Sequence, residues 1–227
     1  MDEADAMTSE EVSSVRVFAR FRPVRHGHAP LRYDLDAELA QIRIGGCGKR
    51  FRFDGVLDAG ASQLDAFNLI AEAAVAECLQ GYNATILAYG QTGSGKTHTM
   101  LGVDFGKGSK TTENAWDPND NVAGLMPRVI HSLFQGLVDD EANARDGTII
   151  ELSMLEIYNE NIRDLLANPT AIRPFEKPRN TNFVKQQTLK LRETSERGVW
   201  VQGLSKKPCA SDQDVLKFIE VGSAARS

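Results

Sequence analysis

Apolar positions along this chain switch between two periods. From Ser62 to Gln80, Leu64, Phe67, Ala71, Ala74 and Cys78 recur at spacings of three and four, which predicts one amphipathic helix. Ser62 with Asp65 forms a capping box at its start, and Gly81 stands where helices end. A second helix begins near Pro127, with Val129, Ile130, Leu133, Phe134 and Leu137 on its buried face. Asn159 to Leu166 reads as a short amphipathic helix. Ser211 and Asp214 cap a last one carrying Val215, Leu216 and Ile219. Strand signals lie between. Val15 to Arg20 is extended and is stopped by Pro23, which cannot donate to a ladder. Gln41–Ile44 is a weak strand, Phe51–Asp54 a short alternating one, and Val199–Val201 another. Ala84 to Tyr89 is a continuous apolar run of the buried-strand type. Gly147 to Tyr158 sets Ile150, Leu152 and Met154 against Glu151 and Ser153, as a single long strand.

Strands alternating with helices predict the α/β class, with a central sheet and helices on both faces. At 227 residues the chain fits one domain, assigned here to 14–227 behind an acidic, disordered leader at 1–13. Gly102 to Asn121 is Gly-, Asp- and Thr-rich without periodicity and reads as a long exposed loop.

Charge and cysteine usage narrow the partners. A net charge of −5 gives no global attraction to nucleic acid or anionic membrane. No apolar run approaches the roughly 20 residues that span a bilayer, and the acidic N-terminus is unlike an export signal. The sequon Asn83-Ala84-Thr85 therefore reads as part of the buried strand. Cys47, Cys78 and Cys209 are scattered and odd in number, so they read as reduced thiols, with Cys78 in the core. His26 and His28 lack further ligands for a metal. Residues 167–192 depart from the average, with six positive charges against Glu176 alone. Such a run is commonly a solvated loop, but a local +5 in an acidic chain favours an acidic partner surface.

The chemistry concentrates after Tyr89. Gly90-Gln91-Thr92-Gly93-Ser94-Gly95-Lys96-Thr97 fits G-x-x-x-x-G-K-[ST]. Glycines allow the tight turn that points backbone N–H groups at phosphate oxygens. Lys96 supplies a positive charge for the β- and γ-phosphates, and the Thr97 hydroxyl can ligate Mg2+. A helix starting near Lys96 adds its dipole. The ligand is expected at the carboxyl end of the strand closing at Tyr89.

Several segments in order resemble the kinesin motor domain. They are Val17–Pro23 with its R-x-R-P ending, Phe51–Val56, Gly81–Met100, Gly124–Arg128, Glu156–Glu160 and Ile162–Leu166. The extension of the phosphate loop through His98-Thr99-Met100 is far more specific than the bare motif. The resemblance implies an ATP- and Mg2+-dependent microtubule motor, working in the cytoplasm on the cytoskeleton. Gly90, Gln91, Thr92, Gly93, Ser94, Gly95, Lys96, Thr97 and His98 then hold the phosphates. Arg20, Arg22 and Pro23 wall the adenine, with His98 near the base; guanidinium and proline rings offer flat faces for a purine. Arg173, Lys177, Arg179, Lys185 and Lys190 fall where the family has a loop that touches tubulin. Nucleic acid and membrane are not expected partners.

The resemblance also sets an expectation of incompleteness. The family's switch patterns N-x-x-S-S-R-S-H and D-x-x-G-x-E do not occur in the 227 residues. Phosphoryl transfer needs an oriented water, which a phosphate loop alone does not provide, so no catalytic set is complete here. The expected fold is the larger part of a motor domain, with some central strands, the neck and any dimerisation segment lying outside this sequence. Two alternatives follow: a module that binds nucleotide or microtubules without turnover, and an unrelated P-loop kinase acting on a small molecule.

Overall fold

In the computed structural model the described residues are 15–24, 33–36, 39–45, 48–103, 122–139, 148–167, 189–196 and 198–226. The leader at 1–13, most of the 102–121 loop, His26, His28, Cys47 and most of the basic stretch lie outside them.

The chain opens with β1 (Phe18–Arg20), which pairs in parallel with β5 (Gly55–Leu57). Parallel neighbours need a long crossover. It is supplied by an antiparallel meander of β2 (Tyr33–Asp36), β3 (Gln41–Ile44) and β4 (Arg50–Arg52). Only β3 and part of β4 carried a strand signal, because β2 is a short Tyr-Asp-Leu-Asp segment with a single apolar position facing in from each pair.

The long helix divides into α1 (Gln63–Ile70) and α2 (Glu72–Leu79) at Ala71. The Ser62–Asp65 box is formed reciprocally. At the far end Gly81 N–H donates to Cys78 O and Tyr82 N–H to Glu77 O, the paired bonds of a left-handed glycine cap, with Gly81 at φ 95°. The buried face is Gln63, Ala66, Ala71 and Val75, rotated from the predicted stripe. Leu64 is 44% exposed, and the polar Gln63 next to it takes the buried position.

Ala84–Tyr89 belongs to no helix or ladder among the described residues. Its inward positions Ile86 and Ala88 are half-buried, whereas Leu87 is 84% and Tyr89 96% exposed. The apolar run encodes a two-sided strand. Here only the Ile86 side is covered, by the core of Leu57, Ala66, Ala71 and Leu125.

After the phosphate loop come α3 (Lys96–Met100) and α4 (Leu125–Asp139). Helix α4 joins two cores. Leu125 and Val129 pack into the cluster under α1 and α2. Met126, Ile130 and Phe134 pack with Cys209, Val215 and Ile219. Leu125 and Pro127 are among the most fully buried side chains. Cys78 lines an apolar cavity of about 280 Å³ between α2, Ile86 and α4, in keeping with a core role.

Two further predictions are corrected. The 147–158 strand is two, β6 (Ile150–Leu152) and β7 (Leu155–Tyr158), parted at Ser153-Met154. They serve different partners: β6 pairs with β11 (Lys207–Cys209), β7 with β8 (Asn161–Asp164). The helix predicted at 159–166 is therefore the return strand of a hairpin. Asn159 and Glu160 turn it at φ 47° and 62°, the geometry that matches strand twist in two-residue hairpins. Apolar residues at Ile162 and Leu165-Leu166 fit a helical period over so short a span, and the ladder to β7 decides otherwise. A last hairpin joins β9 (Lys190–Thr194) to β10 (Gly198–Gln202), and α5 (Asp212–Ala224) follows with its Ser211–Asp214 box formed. Among the described helices none is long and apolar enough to cross a membrane.

Candidate functional site

The segment after Tyr89 turns through Gly90 (φ 153°), Gly93 (81°) and Gly95 (107°), a region that side chains with a Cβ rarely adopt. At Gly90 a Cβ would also meet Ser94 Oγ at 2.6 Å. The loop is a cradle that only glycines close. Gly95 is the N-cap of α3, which runs for five residues, so the loop rather than a long helix dipole dominates the local field. Lys96 Nζ donates to Gly90 O at 2.7 Å and to Gln91 O at 2.9 Å. Its ammonium is thus held over the turn. Thr97 is exposed on the first turn of α3.

The end of β1 runs alongside. Arg22 Nη1 donates to the Gly93 carbonyl. Arg20 Nη1 donates to Gln63 Oε1 at 2.9 Å and to Thr99 Oγ1 at 3.2 Å. Gln63 Nε2 in turn donates to His98 O at 2.8 Å and lies 3.1 Å from His98 Nε2. Pro23 is exposed just beyond Arg22. Arg20 and His98, assigned to one base wall by the resemblance, are therefore linked through Gln63, and the Arg22 guanidinium is close enough to act on the His98 ring. Partial burial, and then the guanidiniums of Arg20 and Arg22, hold the His98 imidazole below its ordinary pKa. Lys96, Arg20 and Arg22 together surround the loop with positive charge, which suits a polyanionic ligand.

Gln63 was missed by sequence reasoning. It is 2% exposed although it sits at the solvent-facing start of a helix. The available signal was local: a polar residue directly after a capping serine, beside an apolar Leu64 that absorbed the helical stripe. Of the residues expected to meet microtubules, Lys190 is exposed on β9, while Arg173, Lys177, Arg179 and Lys185 lie outside the described residues. Among the described residues no group of His, Cys, Asp or Glu is arranged to hold a metal. Thr97 remains the one nominated ligand.

A glycine-turned loop that presents a lysine, with the end of β1 bonded to it, has the form of a phosphate loop in an α/β fold. Comparison with known proteins sharpens this. The family model for the kinesin motor domain matches residues 29–227. Kinesin-related protein 5 of Dictyostelium discoideum is 34% identical over 218 residues, covering 94% of this chain and 19% of that protein. Kinesin-like protein KIN-12D of Arabidopsis thaliana is 38% identical over 186 residues, covering 81% and 6%. Among solved structures, a fast kinesin studied for its ATPase mechanism and its interactions with microtubules superposes with a TM-score of 0.70 at 30% identity, covering 93% of this chain and 53% of that one. The chain belongs to the kinesin motor-domain family. It spans about a fifth or less of the length of these curated relatives.

Proposed function

We propose that this chain carries the ATP-binding part of a microtubule motor, in which ATP hydrolysis is coupled to microtubule binding and movement. The observation that carries the reading is the cradle at Gly90, Gly93 and Gly95, with Lys96 held over it and Arg22 tied to its rim. Residues 14–227 are proposed to act as one motor-domain unit.

In this reading Gly90 to His98 bind the phosphates, His98 through its backbone N–H, which leaves its ring for the base. Backbone N–H groups of the loop donate to phosphate oxygens, and Lys96 exchanges the carbonyls of Gly90 and Gln91 for the more negative phosphates. The Thr97 hydroxyl would supply a ligand to Mg2+, which when bound would offset phosphate charge. Arg20, Arg22 and Pro23, with His98, form the wall for the base. Arg22 has a second task, since its bond to Gly93 O couples that wall to the loop. Lys190 and the basic residues Arg173, Lys177, Arg179 and Lys185 are proposed to face acidic tubulin. The same reading includes a location on the microtubule cytoskeleton of the cytoplasm.

The test is binding of a fluorescent ATP analogue by wild type and Lys96→Ala, together with ATP turnover with and without microtubules. Loss of the charged hydrogen bonds from Lys96 is worth about 2 kcal/mol, roughly a thirtyfold weaker Kd. Equal affinity in the two proteins refutes the phosphate-loop reading. Tight binding without microtubule-stimulated turnover supports the non-hydrolysing module instead.

A further inference from the structure

We propose that Gln63 is a positioning residue that fixes the tautomer of His98, placing its ring proton on Nδ1, and so sets the face that the base wall offers to a purine. The inference rests on the reading of the loop as an ATP site and names a residue that the phosphate-loop motif does not contain.

Donors and acceptors around Gln63 fix the orientation of its amide. A guanidinium has only donors, so the Gln63 atom facing Arg20 Nη1 at 2.9 Å must be the amide oxygen. A carbonyl only accepts, so the atom facing His98 O at 2.8 Å must be the amide nitrogen. Both constraints agree, and the orientation of the amide is chemically forced. The same NH2 group lies 3.1 Å from His98 Nε2. An amide nitrogen cannot accept, so this contact is a hydrogen bond only when Nε2 carries no proton. The proton of the neutral ring is then on Nδ1.

Burial makes the arrangement exacting. Gln63 is 2% exposed, and its oxygen and both N–H groups have partners in Arg20, His98 O and His98 Nε2. A polar atom of Gln63 that loses its partner has little water to replace it. The sequence explains how Gln63 comes to be there. The capping box of Ser62 and Asp65 fixes the first turn of α1, and Gln63 is the first residue of that helix. Arg20 is also tied to Thr99, one residue after His98, so β1, α1 and α3 meet on this single amide.

The experiment records the ring 15N shifts of His98 at fixed neutral pH in the full chain. His98→Asn identifies the resonance among the four histidines. Wild type is expected to show the Nδ1-protonated pattern. Gln63→Glu replaces the NH2 by a second acceptor and is expected to move the proton to Nε2. Gln63→Met keeps the volume without hydrogen bonds and is expected to show a mixture. Both variants are expected to bind ATP about tenfold more weakly while binding inorganic tripolyphosphate, which has no base, as wild type does. An Nε2-protonated ring in wild type overturns the proposal, and so does an unchanged ring in Gln63→Glu. Equal losses for ATP and tripolyphosphate overturn it too, because they indicate general damage. Should Gln63→Glu fail to fold, the wild-type tautomer decides alone. Absence of ATP binding by wild type refutes the proposed function and leaves the tautomer measurement to judge Gln63.

Discussion

Gly124→Ala tests how the phosphate-loop helix is held. Gly124 lies just before α4, where the chain crosses the end of α3. A Cβ there would sit 2.6 Å from Gly102 N and 2.7 Å from the carbonyl carbons of Leu101 and Met100. Each is about 0.7 Å inside ordinary contact. All three neighbours are backbone, so no side chain can swing away. The crossing is closed by Gly124 N–H to Leu101 O (3.2 Å) and Val103 N–H to Val122 O (2.9 Å). Relieving the clash stretches these bonds. Overpacking costs about 1–3 kcal/mol, and the lack of a flexible neighbour puts this case near 3. For a chain of this size that lowers Tm by about 6–12 °C. Gly60→Ala is the control: its added Cβ meets only Asp58 Oδ1, at 3.4 Å, and is expected to change stability by less than about 0.5 kcal/mol. Thermal unfolding followed by circular dichroism reads both. Because the crossing anchors Met100 and Leu101 at the end of α3, affinity for a fluorescent ATP analogue should fall along with Tm in Gly124→Ala. A Gly124→Ala protein that melts with Gly60→Ala refutes the close approach and the anchoring drawn from it.

Other outcomes follow from the caps and the hairpin. Ser211→Ala removes the N-cap of α5 and should cost about 1 kcal/mol in denaturant unfolding. The Asp214 carboxyl is held below its ordinary pKa by the N–H of Ala210 and then by Ser211. Its stabilising contribution is therefore complete above the ordinary carboxylate value and is lost as pH falls through the lower folded value. Asp214→Asn should flatten that acid limb, and an unchanged limb would exclude this cap as its source. Glu160→Gly should stabilise by about 1 kcal/mol, because Glu160 is a residue with a Cβ at φ 62°; a lower Tm would show that the Glu160 side chain contributes more than its backbone costs.

Local chemistry in the sequence was enough for features closed within a few residues. The two capping boxes, the Gly81 stop and the glycine turns at Gly90, Gly93 and Gly95 appear as read, because each is a bargain between neighbours that tertiary packing does not alter. The family was legible for the same reason, since its motifs are contiguous. Features that need a distant partner were not. A strand exists only where another strand pairs with it, which is why Ala84–Tyr89 joins no ladder among the described residues and why 159–166, helical by period, became β8 through its pairing with β7. The resemblance put Arg20, Arg22 and His98 at one wall, but nothing in the sequence said which group holds them there. The fold joins Arg20 to His98 through Gln63, a buried amide whose value lies in three contacts with them, at sequence separations of 43 and 35 residues, and ties Arg22 separately to Gly93 O. Periodicity weighs apolar positions and passes over such a residue; only the tertiary structure shows that its polar atoms, rather than its burial, are what the position requires.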